Sequence, residues 1–260
     1  MAAPLITLTT DFGTRDPYVA QLKGVLASLV PDATVTDLSH DVAPQDILEA
    51  SFFLAATLAF FPPATIHFVV VDPGVGSGRR PLAVAIADQF VVCPDNGLLT
   101  LAVRRHGIDE ARIIEAPDFQ RFERSHTFHA RDVFAPAAAR LANGAPLTAA
   151  GPVATDLVQL DIPEAAIGPG AIHGEVLRVD RFGNAITNID GAALGEFDVA
   201  RVTFGAAVVE GLHATYADVP PGAPLALIGS HGYLEIACHA ASAADRFRLA
   251  RGTPVEVALG

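Results

Sequence analysis

Residues Thr65 to Arg80 constrain the fold of this 260-residue chain more than any other stretch. Ile66 to Val71 is a short apolar run rich in β-branched residues, the pattern of a strand buried on both faces. It stops abruptly at Asp72-Pro73, and Gly74, Gly76 and Gly78 follow at alternate positions before Arg79 and Arg80. A carboxylate and a guanidinium therefore sit on a glycine-rich loop at the carboxyl end of a buried strand, where open α/β sheets bind ligands. Taken alone, the same residues also suit a tight turn closed by a structural ion pair.

The chain before this stretch gives it a frame. Leu5 to Thr10 reads as a strand ending at Asp11, and Asp16-Pro17 opens a helix with Asp16 as N-cap. Thr34 to Leu38 reads as a second strand, closed by Ser39, His40 and Asp41, and Pro44 starts a helix reaching about Phe60. Strand, helix, strand, helix, strand is the rhythm of a mainly parallel sheet with right-handed crossovers. Three strands would then finish at one edge, in Asp11, in Asp37 to Asp41 and in Asp72. Further strands are expected over Leu82–Ala87 and Phe90–Cys93, with helices over Leu98–Arg105 and Val133–Ala142. Residues 108–125 read as polar and irregular.

Beyond about residue 171 the texture changes to short β-like runs separated by Gly, Pro and Asp turns, with no long helical pattern. The expected organisation is an α/β N-terminal domain over residues 1–165, with a mainly parallel sheet, and a smaller all-β C-terminal domain over residues 171–260. Apolar residues make up 51% of the chain, enough for a sizeable core. The longest apolar stretch, Ala50 to Phe61, is too short to span a membrane and ends at Pro62-Pro63. No basic segment precedes an apolar run at the N-terminus, so no signal peptide is expected. Cys93 and Cys238 lie far apart in apolar company, as buried thiols of a reducing, cytoplasmic compartment would. A net charge of −12 argues against a nucleic-acid partner.

Several clusters could carry chemistry. A carboxylate at a strand end, such as Asp11, suits the paired hydroxyls of a ribose. His126, His129 and Asp132 invite a metal, but no second set of ligands with metal spacing accompanies them. The glycines after Asp72 lack both the dinucleotide-binding spacing and a phosphate-binding lysine. Asp180 to Asn184 and Gly229 to Glu235 each read as a turn between β runs, with Ser230 and His231 on the second.

Taken together, the motifs have a family likeness. Thr9-Thr10-Asp11-Phe12-Gly13, Val71-Asp72-Pro73-Gly74-Val75-Gly76, Pro94-Asp95-Asn96-Gly97 and Thr127-Phe128-His129-Ala130-Arg131-Asp132 occur in order. Phe182-Gly183-Asn184-Ala185-Ile186-Thr187-Asn188 and Gly229-Ser230-His231-Gly232-Tyr233-Leu234-Glu235 complete the set. The chain resembles the adenosine-forming S-adenosyl-L-methionine (SAM) hydrolases, or SAM hydroxide adenosyltransferases, relatives of fluorinase and chlorinase. The resemblance implies a homotrimer, with SAM between one subunit's N-terminal domain and its neighbour's C-terminal domain. It implies an Asp72/Arg79/His129 set for the nucleophilic water, Arg79 being favoured over Arg80 by spacing. Asp11 falls at the ribose position, and Asp16, Asp180 and Ser230, followed by His231, at the methionine positions. Asn184 and Tyr216 fall at the adenine positions, with Phe128 packing nearby.

SAM is substrate in this reading, and neither cofactor nor metal is expected. His231 stands where relatives often carry Ser or Arg, and Ala241-Ser242-Ala243 replaces a more glycine-rich segment. In the halogenases the position of Asp72 is not acidic, so the resemblance points to water rather than halide. The alternatives are a non-catalytic SAM or adenosine sensor and halide-dependent adenosyl transfer. Within the catalytic set, the expectation is that Arg79 orients Asp72 and the water while His129 takes up or relays the proton.

Overall fold

The computed structural model describes residues 3–195 and 197–260, which form two compact units meeting in sequence between Leu160 and Asp161. The first contains β1 (Leu5–Thr10), α1 (Tyr18–Leu29), β2 (Thr34–Ser39), α2 (Ile47–Thr57), β3 (Ile66–Val70), β4 (Pro81–Ile86), β5 (Gln89–Pro94), α3 (Thr100–His106), β6 (Glu110–Ile113) and α4 (Ala135–Ala142). Its sheet runs β2-β1-β3-β5-β4-β6. The pairs β1–β2, β1–β3 and β3–β5 are parallel, whereas β4 runs antiparallel to both β5 and β6. The sheet is therefore mixed, mostly parallel. The reversal comes from the β4–β5 hairpin, whose two turn residues Ala87 and Asp88 both take positive φ, 51° and 59°.

Every residue of β3 is buried, as a central strand requires. Alternation assigns its side chains to two cores. Ile66, Phe68 and Val70 join Ile6 and Leu8 of β1 against Leu22 and Leu26 of α1 and Ala137, Ala138 and Leu141 of α4. On the other face lies His67, wholly buried. Its Nδ1 bonds Thr7 Oγ1 at 2.7 Å and its Nε2 bonds Gln89 Oε1 at 2.6 Å. Gln89 Nε2 donates to the carbonyls of Leu58 and Phe61, so Gln89 Oε1 must accept, and His67 carries its proton on Nε2. One neutral imidazole thus ties β1, β3 and β5 to the end of α2.

Several boundaries differ from expectation for local reasons. Pro17, not Asp16, caps α1, and no side chain bonds the cap, so the Asp16 N-cap is corrected. α2 begins only at Ile47, capped by Asp46, which accepts the Glu49 N–H at 3.0 Å. Pro44 lies outside it because Gln45 adopts φ 67° and breaks the helical path. The segment 108–125 contains β6, which its mixed composition concealed. Asp37 pairs with Lys23 at 2.6 Å and with His40 at 3.1 Å.

The second unit holds β7 (Ala166–Gly168), β8 (Ala171–Val179), β9 (Ala185–Asp190), α5 (Gly191–Leu194), β10 (Val199–Phe204), β11 (Ala207–Glu210), β12 (Pro224–Ile228), β13 (Tyr233–Cys238), α6 (Ala243–Phe247) and β14 (Pro254–Leu259). Its strands pair antiparallel in the order β11-β10-β14-β8-β9-β13-β12, with β7 against β8. Ile172, Val176, Val202, Phe204, Ile236 and Val257 are among its core residues. Its helices are a single turn or little more. Cys93 and Cys238 are free and buried, and no helix of the described residues is long and apolar enough to cross a membrane.

Burial holds the His67 pKa below its ordinary value, against the opposing bond from Gln89. The unfolded chain therefore binds a proton that the fold rejects, and stability should fall as pH drops below about 6.5. Urea melts between pH 5 and 8 are expected to show a steeper acid loss in the wild type than in His67→Gln. Equal slopes would remove His67 as the source.

Candidate active site

The loop after β3 packs on the segment before α4 with almost no clearance. Gly76 has φ 79°, and a Cβ there would come within 2.6 Å of the His126 carbonyl oxygen. Only glycine permits both the turn and the approach. The contact brings Arg79 against His129, which stands at the entrance to a wide π turn over Ala130–Phe134 leading into α4. π turns within helices recur at functional sites.

Three side chains then form one network. Arg79 Nε lies 3.0 Å from both oxygens of Asp72, and its Nη2 lies 2.5 Å from Oδ2. The same Nη2 reaches His129 Nδ1 at 2.9 Å. The guanidinium also rests on the Phe134 ring, 5.1 Å from its centroid. Only 6% of the Asp72 side chain and 8% of the Arg79 side chain are exposed. A guanidinium can only donate, so His129 Nδ1 must be an acceptor, which leaves a neutral ring with its proton on Nε2. Burial lowers the His129 pKa, and the Arg79 charge lowers it further. Protonating the ring would turn an N–H toward Arg79, so His129 offers the site a donor.

Asp72 and His129 face a cavity of about 400 Å³ lined also by Asp11, Phe12, Tyr18, Gln45 and Phe128. Asp11 is held by the Gln45 N–H, 2.8 Å from Oδ2, which explains the unusual backbone of Gln45. Phe12, Tyr18 and Phe128 pack edge to face, with centroids 5.2 to 6.1 Å apart. Asp16 is exposed and does not line this cavity.

Neighbouring charges are structural. Arg80 reaches Asp95 through Nε at 2.8 Å and Asp156 through Nη1 at 2.7 Å, which separates it from Arg79. Asp132, fully buried, takes Arg131 Nε and Nη2, both at 2.8 Å, and the Ser125 N–H at 2.8 Å. With Asp132 and His129 Nδ1 occupied, the cluster of His126, His129 and Asp132 fits a metal poorly. Asn96, of the Pro94 to Gly97 motif, donates to the Val71 carbonyl at 2.9 Å and so fixes the residue preceding Asp72.

The second unit has its own cavity, about 670 Å³, at the hairpin turns. It gathers Asp180, Asn184, Tyr216, Ser230 and His231 with Phe182, Arg178 and Glu235. Asp180 spends much of its capacity locally: Oδ1 accepts the N–H groups of Phe182 and Asn184 at 2.9 and 2.8 Å, and Oδ2 the Asn184 side chain at 3.1 Å. Tyr216 donates its hydroxyl to Glu235 Oε1 at 2.6 Å. Tyr18, Gln45, Asn96 and Glu235 are contributors that sequence reasoning does not single out. An exposed tyrosine opening a helix beside Asp16 is a signal for the first; nothing local marks Gln45.

The two units correspond to two family models. Residues 6–151 match the SAM hydroxide adenosyltransferase N-terminal domain, and residues 174–256 match its C-terminal domain. A protein of Salinispora arenicola named (R)-S-adenosyl-L-methionine hydrolase is 41% identical, over 100% of this chain and 99% of its own. A fluorinase of Actinopolyspora mzabensis is 30% identical, over 98% of this chain and 97% of its own. A crystal structure of an uncharacterised conserved protein from Thermotoga maritima superposes with a TM-score of 0.91 at 34% identity, covering 97% of this chain and 99% of that one. With both domain models matched in order and full-length relatives on either side, the chain belongs to the SAM hydroxide adenosyltransferase family.

Proposed function

We propose that the protein hydrolyses (R)-S-adenosyl-L-methionine to adenosine and L-methionine, by in-line attack of an oriented water on the ribose 5′ carbon. The observation that carries this reading is the Asp72/Arg79/His129 network at the wall of the cavity that also holds Asp11. The names of the full-length relatives support the same substrate and reaction. The sulfonium is already a good leaving group, so the burden falls on a weak, strongly solvated nucleophile. Holding it in line with the 5′ carbon is worth about 7–11 kcal/mol, whereas general-base help adds about two to four powers of ten. Positioning is the larger effect.

The roles follow from the hydrogen-bonding capacities. Arg79 fixes the Asp72 carboxylate, whose remaining lone pairs accept from the water and direct its oxygen toward the 5′ carbon. His129 Nε2–H donates to the same pocket, and Asp11 takes the ribose hydroxyls. As the C–O bond forms, the C–S electron pair leaves with methionine, and the water's surplus proton passes through Asp72 to solvent. The resemblance extends the proposal to a homotrimer with no cofactor, metal or nucleic acid involved, and sedimentation of the purified protein tests the assembly.

Incubation with SAM, with and without chloride, fluoride and EDTA, should yield adenosine and methionine in equal amounts under every condition. A halogenated adenosine would move the chain to halide transfer, and tight binding without product would make it a sensor. Asp72→Asn is expected to lower kcat by about 10² or more while KM shifts only a few-fold; an unchanged kcat would remove Asp72 from water handling. Because the His129 pKa is lowered, its neutral form prevails above about pH 6.5. Turnover should hold level from pH 7 to 9, and a rate that climbs through that interval would contradict the donor role.

A further inference from the structure

Asp11 is held in place by a residue that does not line its cavity. The Thr10 hydroxyl accepts the Phe12 N–H at 3.3 Å, which closes a tight turn with Asp11 at its centre. Gly13 follows with φ 63°. His40, directly after β2, meets this turn at both ends. Its Nδ1 lies 2.8 Å from Thr10 Oγ1, and its carbonyl accepts the Gly13 N–H at 2.8 Å. His40 is only 6% exposed and Thr10 is wholly buried, and neither lines the cavity that holds Asp11.

The neighbours set the hydrogen-bonding pattern of the ring. His40 Nε2 lies 3.1 Å from Asp37 Oδ1, oblique to a hydrogen bond but close enough for the carboxylate to favour a proton there. Nδ1 of the neutral ring then accepts the Thr10 hydroxyl, whose oxygen still accepts from Phe12, so both capacities of that hydroxyl are used. Lys23 holds the other oxygen of Asp37 at 2.6 Å. The Gln45 N–H fixes the Asp11 carboxylate itself, and the turn that carries it depends on His40. We propose that His40 is a positioning residue for ribose recognition: acting through Thr10 and Gly13, it fixes the backbone on both sides of Asp11 and aims that carboxylate at the ribose hydroxyls.

This inference rests on the ribose role of Asp11 given above, and its test requires no turnover. Calorimetry would compare adenosine with 2′,3′-dideoxyadenosine, which lacks the two hydroxyls. The wild type should prefer adenosine by about 10- to 100-fold. His40→Gln carries its amide where Nε2 stood and leaves the Thr10 hydroxyl without its acceptor. That preference should then fall about 5-fold or more, with binding of the dideoxy compound unchanged. His40→Asn, whose side-chain oxygen stands in for Nδ1, should restore most of it. Thr10→Val should cause the same loss as His40→Gln, and combining the two should cause no further loss. A preference left intact by His40→Gln, or losses that add in the double variant, would overturn the proposal while Asp11 kept its ribose role. Equal weakening of both nucleosides would also overturn it, since a merely structural role predicts that result. No preference in the wild type would sink the ribose reading and the proposal together.

Discussion

The first unit depends on one buried ion pair. Asp72 and Arg79 are nearly closed to solvent, and each would be costly to bury alone. Their pairing explains the glycine loop that joins them, since the six residues between them must reverse so that a guanidinium meets the carboxylate at the end of its own strand. It also sets the state of His129, because an Arg79 N–H spends Nδ1 and leaves Nε2–H pointing elsewhere. Asn96 and the Phe134 ring brace the two partners from outside. A charge pair of this kind contributes little to stability but fixes geometry, and fixed geometry is what a weak nucleophile requires.

The layers behind it serve that geometry. β3 can end in a charged residue because its whole length is buried between β1 and β5, with one core set by α1 and α4 and the other tied by His67. Asp11 ends the adjacent parallel strand and so arrives at the same edge. In the second unit, hairpin turns and not strand ends supply the polar groups, and the strands fix which turns share a cavity.

Much of this is legible in the sequence because it is local. The run Ile66 to Val71, the carboxylates at strand ends and the turns at residues 180–184 and 229–232 each lie within a few residues. What is not legible depends on partners distant in the chain. The outer partner of β4 is β6, some 25 residues on, a strand that composition does not mark. Asp16 has the local pattern of an N-cap, yet the helix takes Pro17. The partner that occupies His129 Nδ1, Arg79, lies fifty residues away in the chain.

The central claim is that a water held by Asp72, Arg79 and His129 attacks the 5′ carbon in line. It is tested most directly by turning over SAM stereospecifically deuterated at the 5′ carbon in ¹⁸O-labelled water. In-line attack predicts adenosine carrying ¹⁸O in its 5′ hydroxyl, with inverted configuration at that carbon. Retained or scrambled configuration, or adenosine without the label, would contradict the account.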